Sequence, residues 1–165
     1  MESSEFILTI AGLALGLAGF SGVIVGLNPT PLSQWDPVDK LNFRVLVQVA
    51  AVAAFFSLLP FPIHVVFEEE RAWRIALLIY GIFHAIDVST FVLRYPKNTP
   101  PINLRIGFVG CLVATLQIVI AFLGGATIIE ATYLLGLMWH LCVSFFGFVT
   151  LVYQFRSKSK STPAP

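Results

Sequence analysis

Charge is scarce in this chain. Of its 165 residues, 12 % are Asp, Glu, Lys or Arg and 57 % are hydrophobic. A soluble domain carries about 25 % charged residues. The longest polar stretch, 28–44, is only 17 residues, too short for a large soluble domain. The net charge is +1, with no basic run interleaved with aromatics, so nucleic acid is not an expected partner. Cysteine is scarce as well. Cys111 and Cys142 have no CxxC partner and no metal-ligand spacing. We expect them to be small buried residues, with no disulfide and no metal site. There is no P-loop, HExxH or nucleophile elbow. Ser21, in Gly19-Phe20-Ser21-Gly22, lacks a GxSxG frame and reads as a small packing residue. No catalytic residue is assigned, and a non-enzymatic protein is expected.

What fills the chain instead is apolar sequence, in five segments at 6–27, 45–67, 75–93, 106–124 and 132–155. A helix needs about 20 apolar residues to cross a bilayer core of ~30 Å. The expectation is an all-α polytopic membrane protein, one five-span domain over 1–155 in contact with the lipid bilayer. The Ser/Lys/Pro-rich tail 156–165 is expected to be disordered. No Lys or Arg precedes the first apolar run, whereas signal peptides begin with a basic region. We therefore expect this run to be a retained span. The second span is the weakest, because Pro60 and Pro62 remove backbone donors near its end. The stretch 60–67 either completes the span or lies at the interface.

Five spans put the termini on opposite sides. Lys40, Arg44, Arg94, Lys97, Arg105, Arg156, Lys158 and Lys160 then share one side, against Arg71 and Arg74 on the other. By the positive-inside rule the first side is cytoplasmic, so the N-terminus is outside and the C-terminus inside. Trp35, Trp73, Tyr95, Tyr133 and Tyr153 fall near span boundaries, where aromatic belts form.

The first span carries Gly12, Gly16, Gly19, Gly22 and Gly26, spaced 4, 3, 3 and 4. They share one helix face, and small residues mark close helix contacts in bilayers. We expect a packing face, with an internal contact favoured over a homo-oligomer seam. Gly107, Gly110, Ala114, Gln117, Ala121 and Gly124 form a similar face on the fourth span. Gly136, His140, Ser144 and Gly147 do so on the fifth.

Polar groups also occur at membrane depth. The third span places Tyr80, His84, Asp87 and Arg94 along one side, at i, i+4, i+7 and i+14. An ionised Asp at a helix centre costs roughly 2.5–3.5 kcal/mol on insertion scales, and such residues are functional candidates. Arg94 is placed to snorkel towards the interface. His140, Gln117 and Thr115 reach similar depth, so a midplane polar layer is expected from spans three, four and five. The leading reading is a small accessory or oligomeric membrane subunit in which this layer serves packing, proton handling or both. The alternative is a proton, ion or small-solute transporter or channel using Asp87 and His84. A further alternative ligates haem b through His84 and His140, since imidazole is a common axial ligand. The leading reading includes no cofactor.

Gly19-Phe20-Ser21-Gly22, Leu58-Leu59-Pro60 and the run Tyr133-Leu134-Leu135-Gly136-Leu137-Met138-Trp139 carry a resemblance. The chain resembles a broad group of small uncharacterised multi-span proteins of bacterial membranes. That resemblance implies a bacterial inner-membrane setting, with no activity and no functional residue attached.

Overall fold

Residues 3–28, 30–95 and 101–161 are described by the computed structural model, with side chains as far as Tyr153. They form six α-helices, α1 (Ser4–Leu27), α2 (Pro37–Leu58), α3 (Pro60–Val66), α4 (Glu69–Leu93), α5 (Pro101–Leu123) and α6 (Ala126–Ser161), and one 3-10 turn at Leu32–Gln34. With α2 and α3 taken together, five are long and apolar enough to cross a membrane. Large side chains such as Leu27, Leu112, Leu123 and Leu135 are at least 70 % exposed. A water-soluble monomer does not carry apolar surface on this scale. The protein is a multi-pass membrane helix bundle.

Several helices outrun the expected spans. The polar stretch 37–44 is helical, because Asp36 caps α2 by accepting from Val38 N at 2.9 Å and Pro37 occupies the first turn. Pro101 likewise opens α5. The last helix continues to Ser161, past the expected boundary at 155. Residues 162–165, Lys97, Pro29 and Pro96 lie outside the described residues. Pro60 ends α2 after Leu58, and the short α3 then packs on α4, with His64 edge-on to Trp73 at a centroid distance of 5.2 Å.

The last helix is the hub. It touches α1 and α2 on one flank and α4 and α5 on the other. Glycines set how closely the helices approach. A Cβ on Gly147 would lie 3.3 Å from Leu46 in α2, one on Gly81 would meet Ile118 at 3.0 Å, and one on Gly107 would meet Val92 at 2.9 Å. The expected inward faces of α5 and α6 are buried: Gly107, Gly110, Ala114, Gln117 and Ala121 on one, Gly136, His140 and Ser144 on the other.

The first helix behaves differently. Gly12, Gly16, Gly19, Gly22 and Gly26 have no neighbour within 4 Å of a Cβ position. The buried residues of α1 are instead Ile7, Ile10, Ala11, Ala14 and Ser21. The expected internal contact along the glycine stripe is therefore corrected. Ile7 and Ile10 fill the core that α2, α4 and α6 share, and this turns the glycines outward. Other expectations are corrected in the same way. Trp73 and Tyr133 are 2 % and 0 % exposed and face the protein core, so neither belongs to a lipid-facing aromatic belt. Cys142 is exposed and Cys111 half-buried, because both sit off the helix seams. Ser21 is buried and donates to Leu17 O at 2.6 Å.

At one end of the bundle Glu130 accepts from the Ser3 hydroxyl. There too, Arg74 donates to the carbonyls of Ala121 (2.8 Å), Phe122 (3.3 Å) and Gly124 (3.1 Å), and pairs with Glu70 at 3.0 Å. Those carbonyls end α5 and have no helical partner. The opposite end carries Arg44, Arg94 and Arg105 and is called the basic end below.

Candidate functional site

The two halves of the bundle interior differ. Towards the end that carries Arg74 and Glu130 the core is aromatic. Phe56 stacks on Tyr80 at 4.5 Å, Tyr80 meets Tyr133 edge-on at 5.3 Å, and Tyr133 meets Trp73 at 5.4 Å. The Tyr133 hydroxyl donates to Phe56 O, which ties α6 to α2.

From mid-bundle to the basic end, α2 stands away from α4 and α5. A cavity of about 380 Å³ lies between them, backed by α6. Towards mid-bundle it is lined by His84, Asp87, His140 and Gln48, and towards the basic end by Arg44, Arg94, Asn42 and Asn103. Side chains bridge the gap. Gln48 Nε2 donates to Asp87 Oδ1, and Asn103 Nδ2 donates to Asn42 Oδ1 at 3.1 Å.

At the meeting point of the two halves sits a buried hydrogen-bonded cluster. His84 Nδ1 lies 2.8 Å from Gln117 Oε1. With the Gln117 amide oriented this way its oxygen accepts and the His84 ring donates from Nδ1, while Gln117 Nε2 is buried without a partner. Tyr80 Oη lies 2.7 Å from His140 Nδ1, and Gly136 O lies 3.1 Å from the same nitrogen. Three glycines make room for these groups. A Cβ on Gly136 would collide with Gln117 Nε2 and lie 3.0 Å from Tyr80, one on Gly81 would lie 3.1 Å from Gln117 Cβ, and one on Gly110 would lie 3.6 Å from His84 Nε2. His84 and His140 are each 3 % exposed, and Tyr80 and Gln117 fully buried.

Of the residues expected in the midplane layer, Tyr80, His84, Gln117 and His140 are thus brought together, and Thr115 and Asp87 are not part of that cluster. Thr115 is exposed and donates to Cys111 O of its own helix at 2.8 Å. Asp87 is half-buried and lines the cavity rather than the closed cluster. Sequence reasoning missed Gln48, Asn42, Asn103 and Arg44 as part of the site. Gln48 had a weak signal, being an amide in the first turn of the second apolar run. The two asparagines had none, since both fall in stretches read as loops.

The histidine rings stand with centroids 4.4 Å apart, edge to face. Two axial imidazoles must lie on opposite sides of a macrocycle. In this arrangement no macrocycle fits between the rings, and His84 and His140 do not suit a bis-histidine haem. Among the described residues, no three His, Cys, Asp or Glu side chains gather closely enough to hold a metal ion.

No protein-family profile, curated protein or solved structure matches this chain. Its function is therefore argued from geometry.

Proposed function

We propose that this chain is a small-solute carrier that binds its cargo in the cavity between α2 and α4–α5, with Asp87 and His84 as the polar groups at its base. The observation that carries this is the cavity itself. It reaches from the basic end to mid-bundle and stops at the Phe56–Tyr80–Tyr133 stack. Access from one side with an apolar barrier on the other suits a carrier in one of its two states rather than an open channel. Packing alone does not account for Asp87, because a structural carboxyl at membrane depth is expected to be closed in by partners. Here it faces space. The proton role is part of the same proposal: His84 and Asp87 both line the cavity, where a solute and a proton can exchange.

The test is uptake into proteoliposomes under a pH gradient, with a panel of labelled amino acids, amines, carboxylates and polyols. At least one is accumulated, and Asp87→Asn lowers its initial rate by more than about tenfold, a barrier change of ~1.4 kcal/mol. Undiminished uptake by a well-folded Asp87→Asn protein overturns the proposal.

A second reading concerns assembly. The outward glycine stripe of α1 supports self-association or docking to a partner subunit, because lipid gains nothing from it while a second helix can approach closely. A protein that is monomeric both in mild detergent and in lipid nanodiscs rules out the homo-oligomer. The basic end is proposed to face the cytoplasm of a bacterial inner membrane. A reporter on the C-terminus that is active only on the outer side reverses that orientation.

A further inference from the structure

The charges around the cavity are separated by depth. Asp87 lies at the base, where its Oδ1 is held by Gln48. Arg44 lies four residues before Gln48 on α2 and Arg94 seven residues after Asp87 in sequence, both towards the basic end. At a rise of 1.5 Å per residue these steps correspond to ~6 Å and ~10 Å along the helices. Arginine side chains are long enough to shorten either span. Among the described residues, Asp87 makes no ion pair, so its charge is left to an occupant. The volume of about 380 Å³ is near the lower end of ligand sites, which run from roughly 300 to 1,000 Å³.

Three classes of small solute fit this pattern unequally. A simple anion satisfies the guanidinium groups but is repelled by Asp87. A simple amine satisfies Asp87 but must pass two guanidinium groups to reach it. A neutral solute leaves all three charges without an opposite partner. A solute with an ammonium group at one end and a carboxylate at the other satisfies both ends, and its direction of entry is fixed.

We propose that the cavity binds a small zwitterion, its ammonium group on Asp87 and its carboxylate on Arg44 and Arg94. Thr90 lines the intervening wall with a neutral hydrogen-bonding group, and Phe91 and Phe146 line it with apolar surface for the connecting carbons. This inference rests on reading the cavity as a solute site.

The test is calorimetric titration of the detergent-solubilised protein with 4-aminobutyrate, butyrate and butylamine, which share a four-carbon chain and differ in charge. 4-Aminobutyrate binds at least about tenfold more tightly than either of the others. Asp87→Asn and the double variant Arg44→Gln/Arg94→Gln each weaken it by at least a similar factor, while Asp87→Glu and Arg94→Lys retain most of the affinity. The melting temperature of each variant, taken alongside, identifies any that has failed to fold, and the conservative pair then carries the comparison. Butyrate binding equally well and indifferent to Asp87→Asn overturns the zwitterion and makes the cavity an anion site. Butylamine binding equally well and indifferent to the arginine variants overturns it in favour of an amine. Absence of heat with all three probes also overturns it. None of these results touches the carrier reading, which the uptake panel decides separately. Conversely, 4-aminobutyrate that binds without being taken up supports the zwitterion and sinks the carrier.

Discussion

Tyr80, His84 and Asp87 lie along one side of α4, yet each meets different surroundings. Tyr80 is sealed by Phe56 and Tyr133, His84 is bonded to Gln117 on its inner side, and Asp87 is half-buried against the cavity. Their substitutions should separate accordingly. Hydrogen bonds between membrane helices average ~0.6 kcal/mol and reach ~1.7 kcal/mol. Tyr80→Phe, which removes the hydroxyl facing His140, is expected to cost about 0.5–1.5 kcal/mol in unfolding measured in mixed micelles. His84→Leu leaves the buried Gln117 amide oxygen without its donor and is expected to cost more, about 1–3 kcal/mol. Asp87→Asn can keep its bond from Gln48 and is expected to change stability by less than about 1 kcal/mol, so that its effect falls on uptake. The helical spacing of these residues was readable in the sequence, since i, i+4 and i+7 positions share a side whatever the fold. Their different environments were not, because those depend on α2, α5 and α6. Phe56 closes one half of α4's inner face, and Gln48 reaches across to the other.

Among helices, the glycines divide into two populations that composition does not distinguish. Gly81, Gly107, Gly110 and Gly136 abut neighbouring helices; those of α1 abut nothing. Gly136→Ala is expected to destabilise by roughly 1–3 kcal/mol, the usual range for overpacking, because the new methyl group displaces Gln117 or Tyr80. Gly16→Ala and Gly22→Ala are expected to leave the protomer's thermal stability unchanged or raise it by up to ~1 kcal/mol each, the difference in helix propensity. Chemical cross-linking in membranes, run on the same two variants, reads the assembly role separately. The α4–α5 pair has a second fastener in Arg74, which satisfies three carbonyls at the end of α5. Arg74→Met is expected to lower stability by about 1–2 kcal/mol through loss of charge-assisted bonds and of a cation at a helix C-terminus. Glu70→Gln, which breaks only a surface ion pair, should cost less than ~1 kcal/mol. A glycine stripe in sequence thus reads as a small-residue face, while its partner is decided by whichever face of the same helix buries more. In α1 that is the Ile7, Ile10, Ala11 and Ala14 face.

For the molecule as a whole, the consequence is asymmetry: an aromatic plug in one half and a cavity in the other. Cysteine accessibility should report it directly. In a background with Cys111 and Cys142 replaced by serine, Thr90→Cys and Thr150→Cys in the cavity wall should react with a membrane-impermeant thiol reagent added from the basic end. Ala76→Cys, in the aromatic half and fully buried, should react from neither side. Labelling of Ala76→Cys at rates similar to the cavity positions would mean that the plug is open.

Residence in a membrane, an all-helical fold and the five spans follow from the sequence alone, because the length and apolarity of a span are local properties. So do the inward faces of α5 and α6, where small and polar residues recur at helical spacing. The tertiary structure alone decided that the α1 glycines point outward, that Trp73 and Tyr133 are core residues, and that Gln48, Asn42 and Arg44 belong with Asp87. Each of these depends on which helix stands beside which. In this bundle α6 occupies the centre and holds α2 apart from α4 and α5, so the room for a cavity arises from arrangement and not from any single run of residues.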